Sequence, residues 1–138
     1  MTRQEVIDFI NAHPACFLAT VEGDAPHVRG MLAFKADEKG ILFHTGDFKE
    51  LPKQMAANPN VEVCFNDMAT RTQVRVAGKA ERVEDGALKE EIVAKRPFLK
   101  PWTEKSGLKP LIVFRVGWGR VKVWTMETNF SPSSFQAM

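Results

Sequence analysis

Cys16-Phe17-Leu18-Ala19-Thr20-Val21 is a short apolar run, and Glu22-Gly23-Asp24-Ala25 punctuates it with turn chemistry. Pro26 then opens a second extended segment, His27 to about Ala36. Together they predict an antiparallel pair. Asp37-Glu38-Lys39-Gly40 is the next turn, and Ile41 to Thr45 is the third strand. Upstream, Thr2 and Glu5 have the spacing of a capping box. Val6, Ile7 and Ile10 follow at helical spacing, and His13-Pro14 ends the segment. The chain therefore begins with a helix and continues as a β-meander.

Downstream, Asp47 in Gly46-Asp47-Phe48 is placed to cap a helix over about Phe48 to Ala57, which Asn58-Pro59-Asn60 ends. Val61, Val63 and Phe65 alternate with Glu62 and Cys64 in a fourth strand. A long fifth strand runs from Arg71 to about Val83, followed by a helix from about Asp85 to Lys95. Arg96 to Pro110 holds three prolines and Gly107 and reads as a loop with one helical turn. Leu111 to Val116 and Arg120 to Met126 predict a closing hairpin across Gly117-Trp118-Gly119, and Glu127 to Met138 an extended tail. The expected fold is mainly β: six or seven antiparallel strands with a few helices. A small barrel suits that inventory because closure removes exposed edges.

The 138 residues suit one domain over 1–138. With 44% hydrophobic and 26% charged residues, the composition is that of a globular chain. Lys plus Arg is 19 and Asp plus Glu is 17, a net charge of +2. That excludes a strongly basic nucleic-acid coat but not a local cationic pocket. No apolar run approaches the roughly 18 residues that span a bilayer. The first residues have no secretion-signal pattern. Cys16 and Cys64 sit in apolar runs without CxxC spacing and read as reduced thiols. The expected location is cytoplasmic.

Chemistry concentrates between Thr45 and Gln54. A strand end, a glycine turn and a helix start make an anion site out of free backbone N–H groups. Lys49 and Lys53 are four apart and share a helix face, and Thr45 adds a hydroxyl. The same pattern also describes a capped surface helix with two solvated lysines. Arg29 stands mid-strand among residues that favour burial, so it needs a partner. Its guanidinium matches phosphate, and Gly30 admits a ligand close to the backbone. A solvated barrel face is the other reading of Arg29. Gln73 shares a strand face with Arg75, Ala77 and Lys79. Trp118 and Trp124 are placed to stack on a ring or to pack. His13, His27 and His44 have no metal-ligand spacing. No GxSxG, GxGxxG or GxxxxGK[ST] motif is present. An enzyme of this sequence would rely on a bound cofactor.

Five segments in order carry a resemblance: Phe17–Val21, Gly23–Arg29, Leu42–Gly46, Lys53–Val63 and Val74–Glu81. The series resembles the pyridoxamine 5′-phosphate oxidase-like family of FMN-binding split β-barrels, in particular its small bacterial members. The resemblance implies a homodimeric split barrel with FMN in clefts between the subunits. It implies that Arg29 holds the FMN phosphate and that Gly30, Met31 and Leu32 run beside the isoalloxazine. It implies that Thr45, next to His44, and either Lys49 or Lys53, next to Gln54, meet the phosphate or ribityl chain. Gln73 is matched to a glutamine at the flavin ring, and Trp124, from the other subunit, to a late aromatic, with Trp118 second. Where the oxidases of the family carry an Arg-Lys pair, this chain has Glu50-Leu51. Their C-terminal Arg-x-His element has no counterpart in Trp124 to Phe130, which argues against pyridoxamine phosphate as substrate.

The leading expectation is thus an FMN-dependent oxidoreductase of unknown substrate, with a small molecule or a reduced nicotinamide as partner and neither nucleic acid nor membrane. A flavin or haem carrier on the same barrel is the alternative. A third reading, a small-barrel nucleic-acid binder, requires a basic stripe with interleaved aromatics.

Overall fold

The computed structural model describes residues 1–138. Helix α1 (Arg3–Ala12) starts as its sequence dictates. The Thr2 hydroxyl accepts from the Glu5 N–H, and the Glu5 carboxylate accepts from the Thr2 N–H at 2.6 Å. Val6, Ile7 and Ile10 form its buried stripe. Strands β1 (Ala15–Glu22) and β2 (Ala25–Leu32) pair antiparallel around Gly23, whose φ of 62° suits glycine. Strands β3 (Lys35–Asp37) and β4 (Gly40–Gly46) follow, then α2 (Glu50–Ala57), β5 (Asn60–Asp67) and β6 (Thr72–Arg82). Helix α3 (Gly86–Lys95) is capped by Asp85, whose side chain accepts from the Leu88 N–H. A 3₁₀ turn (Pro97–Leu99), α4 (Lys100–Ser106), β7 (Leu111–Val116), β8 (Arg120–Thr125) and β9 (Gln136–Ala137) complete the chain.

All strands pair antiparallel, in the order β2-β1-β5-β6-β7-β4-β3, with β8 on β6 and β9 on β8. Strand β6 belongs to both halves of this split barrel. Its first part, Thr72 to Ala77, pairs with β8, and its end, Ala80 to Arg82, pairs with β7. The inward positions form one apolar core, including Leu18, Phe43, Val63, Phe65, Val74, Val76 and Phe114. Burying such side chains contributes about 1.5–3 kcal/mol each. The predicted alternation of Val61, Val63 and Phe65 is the burial pattern of β5.

Four local expectations are corrected. The extended segment from His27 to Ala36 breaks at Ala33-Phe34: the Ala33 N–H still bonds the Pro14 carbonyl, but Pro14 has no N–H to continue the ladder, and the Phe34 N–H turns to the Leu42 carbonyl. The cap of α2 is Lys49, not Asp47, and makes no side-chain cap bond; the helix starts at Glu50, two residues later than expected, which leaves Asp47 outside the cap position. Strands β7 and β8 do not form a hairpin. A Cβ at Gly78 would run into the Gly117 carbonyl, and one at Gly119 into the Ala77 carbonyl. These close approaches let the chain step along β6 instead of folding back on β7. Finally, the 96–110 stretch is more helical than expected, and the tail supplies β9.

Candidate functional site

The site grows from the inner face of β2. Arg29 lies opposite Leu18 in register, on the face that looks toward β1's buried positions. Its Nη1 donates to the Thr20 hydroxyl at 2.9 Å and to the Leu18 carbonyl at 3.4 Å. Its Nη2 donates to Gln54 Oε1 at 2.5 Å, and the Thr20 hydroxyl donates to the same oxygen at 2.6 Å. Thr20 is 0% and Gln54 3% exposed, so these bonds satisfy groups that have no access to water. Three of the five guanidinium donors are thereby engaged, which leaves Nε–H and one Nη2–H. Burial lowers the Arg29 pKa, and the nearby Glu50 carboxylate opposes that shift.

Arg29 borders a cavity of about 640 Å³. One wall is Gly30, Met31, His44, Thr45 and Gly46 from β2 and β4, and another is Lys49, Glu50 and Leu51 at the start of α2. The N–H groups of Glu50 and Leu51 lie in the first turn and have no intrahelical acceptor. Pro52 has no N–H to add. Phe48, Phe98 and Trp102 form an aromatic rim, with Phe48 edge-on to Trp102 at 5.9 Å between centroids. The cavity therefore combines cations and open N–H donors at one end with apolar surface at the other, the distribution expected for a phosphorylated ring ligand.

His44 is fixed by a residue far away in sequence. Arg96 Nη1 lies 2.7 Å from His44 Nε2. A guanidinium only donates, so Nε2 accepts and the proton resides on Nδ1. Burial, then the charges of Arg96 and Lys49, pushes the His44 pKa down to about 4. Arg96 also donates to the Leu32 carbonyl at 3.0 Å and the Ala33 carbonyl at 2.7 Å. One side chain thus ties the start of the 3₁₀ turn to the break between β2 and β3.

Of the sequence candidates, Arg29, Gly30, Met31, His44, Thr45 and Lys49 meet around this cavity. Lys53 is exposed and does not border it. Leu32 points outward, 44% exposed, and contributes its carbonyl to Arg96. Gln54 stands behind Arg29 instead of in the cavity. Gln73 and Trp124 are cross-strand partners on β6 and β8, away from this chain's cavity. Gln73 donates to Asn66 at 2.9 Å, and Trp124 donates to Asn129 at 2.8 Å. Sequence reasoning missed Thr20, Phe48, Arg96, Phe98 and Trp102. Thr20 had one signal, a polar residue in phase with Cys16 and Leu18 in an apolar run. Arg96 had none.

A family model described as pyridoxamine 5′-phosphate oxidase matches residues 2–125. The pyridoxine/pyridoxamine 5′-phosphate oxidase of Pseudomonas paraeruginosa is 40% identical over 70 residues, 50% of this chain and 33% of that protein. The chain thus matches about a third of the length of this curated relative. General stress protein 26 of Bacillus anthracis superposes with a TM-score of 0.77 at 22% identity, covering 100% of both chains. An FAD-binding protein of Mesorhizobium loti superposes with a TM-score of 0.68 at 18% identity, covering 89% of this chain and 94% of that one. These structures share the fold, and the family model spans most of the sequence. The chain belongs to the pyridoxamine 5′-phosphate oxidase family.

Proposed function

We propose that this chain is a single-domain, cytoplasmic FMN-dependent oxidoreductase subunit that holds the FMN phosphate in the Arg29 cavity. The observation that carries the reading is the Arg29 guanidinium, anchored by Thr20 and Gln54 with two N–H donors left over, beside the open N-terminus of α2. Guanidinium, the Lys49 ammonium, the Thr45 hydroxyl and helix N–H groups form a donor set suited to a phosphate dianion. Gly30 and Met31 with the aromatic rim give an apolar surface for the ring. When bound, the flavin supplies hydride chemistry toward a small-molecule substrate or a reduced nicotinamide. The chain's own residues bind and orient. Arg29 and Lys49 neutralise charge, and His44 offers an Nδ1–H donor while Arg96 fixes its tautomer. His44 Nε2 is taken by Arg96 and so is not open as a haem axial nitrogen.

The working unit in this reading is a homodimer. Phe17, Val28 and Leu32 on the outer face of β1 and β2 are 58%, 69% and 44% exposed. An apolar patch of this kind on a strand pair favours association. Register puts Phe17 beside Cys64, Cys64 beside Arg75, and Gln73 beside Trp124 on that same face. Gln73 and Trp124 are assigned to the neighbouring subunit's cleft for that reason.

The test is flavin titration of the purified protein. Quenching of FMN fluorescence at one FMN per chain, lost in Arg29→Ala with Lys49→Ala, supports the reading. Protein that leaves FMN fluorescence unchanged sinks it.

A further inference from the structure

A second cavity of about 650 Å³ lies away from the Arg29 site, where the end of β6 meets the Gly117-Trp118-Gly119 link. Lys39, Lys79, Arg115 and Arg120 border it, with Glu81 the only carboxylate. Seven ion pairs occur in the chain, and none of these five residues takes part in one. Arg115 is the most informative. It is half-buried, its Nε is shut off from water, and Nε has no hydrogen-bond partner. Its cross-strand neighbour in register is Glu81, yet the two side chains do not pair. Its terminal N–H groups are open and make no hydrogen bond within the chain, and a guanidinium pairs best with an oxyanion. Lys79 and Arg120 come from neighbouring strands β6 and β8, and Lys39 from the turn before β4, so the cations converge from separate elements. Arg120 is also stacked at 5.4 Å on Phe135, which restricts its side chain.

We propose that this cavity is a second ligand site, which binds a small oligophosphate anion through Arg115, Lys79, Lys39 and Arg120. Four cations against one carboxylate give a local charge of +3, which favours a multiply charged ligand over a single phosphate or carboxylate. Within one chain the site shares no residue with the flavin cavity; Lys79 and Arg120 lie on the same outer face of β6 and β8 as Gln73 and Trp124.

Calorimetric titration of FMN-saturated protein with inorganic tripolyphosphate tests this at two salt concentrations. Saturable binding is expected, weakened at least about tenfold by Arg115→Gln and by Lys79→Ala with Arg120→Ala. The outlying Lys109→Ala should leave it unchanged. Raising the salt should weaken but not abolish it. Thermal unfolding of each variant checks that it is folded. Absence of saturable binding overturns the proposal. So does binding that Lys109→Ala reduces as much as Arg115→Gln, which means diffuse charge only. Binding kept in full by Arg115→Gln also overturns it, as does a single-stranded oligonucleotide that binds more tightly through the same residues.

Discussion

Gln54→Leu is the most revealing single change, because Gln54 touches no ligand in this account yet supports the residue that does. Its Oε1 receives two donors, Thr20 Oγ1 at 2.6 Å and Arg29 Nη2 at 2.5 Å. Leucine nearly matches glutamine in volume, so the cavity term is small. The Thr20 hydroxyl, 0% exposed, is left without its acceptor, at a cost of about 1–3 kcal/mol. The added apolar burial offsets about 1 kcal/mol of that, and the net expected loss of stability is about 0–2 kcal/mol. Arg29 keeps Thr20 and Leu18 but loses its strongest restraint. Re-ordering a freed arginine on binding costs about 1 kcal/mol, which weakens FMN about fivefold. Urea unfolding reads the first effect as a lower midpoint at unchanged slope, and FMN fluorescence quenching reads the second. Gln54→Glu provides the contrast. It keeps the acceptor and so the stability, but sets a carboxylate against Arg29 and should weaken FMN more than leucine does. A Gln54→Leu protein with wild-type midpoint and wild-type FMN affinity would refute the relay from Gln54 through Arg29.

Two other outcomes follow from the same geometry. His44 has its pKa lowered from 6.5 to about 4, so below pH 6.5 the unfolded chain takes up a proton that the folded chain refuses. Stability therefore falls as pH drops from about 6.5 to 4, by a ceiling of about 3 kcal/mol given the partial exposure of the ring. His44→Gln should flatten that part of the pH–stability curve in urea melts, and an unchanged slope would contradict the assignment. Phe17→Glu places a charge on the apolar outer face. Sedimentation should then show a dimer for the wild type and a monomer for the variant at the same concentration, with weaker FMN binding in the variant; a variant that sediments like the wild type counts against that interface.

What could be read in the sequence was the local physics. The Thr2–Glu5 box and the alternation in β5 depend on residues within a few positions, and the structure reproduces each. What could not be read was set by distant partners. Asp47 looked like a cap, but α2 begins at Glu50 with Lys49 in the cap position, two residues beyond it. The β7–β8 hairpin failed because Gly117 and Gly119 pack on β6 at Ala77-Gly78. In the site, Arg29 was legible as a cation on a strand that favours burial, but its anchors Thr20 and Gln54 lie 9 and 25 residues away. Arg96 reaches Ala33 across 63 residues, which no spacing rule detects. Lys49 and Lys53 are the same residue type, and only the position where α2 begins separates the one at the cavity from the one in solvent.

The central claim is that this cavity recognises a phosphate on a flavin. Its most direct measurement is the ratio of riboflavin to FMN dissociation constants, for the wild type and for Arg29→Met. The two ligands differ only in the phosphate, so the ratio isolates what Arg29, Lys49 and the start of α2 contribute. Two or three charge-assisted hydrogen bonds at about 1.5 kcal/mol each predict a wild-type preference for FMN of at least about a hundredfold, falling by about tenfold or more in Arg29→Met. Equal affinity of the wild type for both flavins, or a preference that survives Arg29→Met intact, would contradict the account.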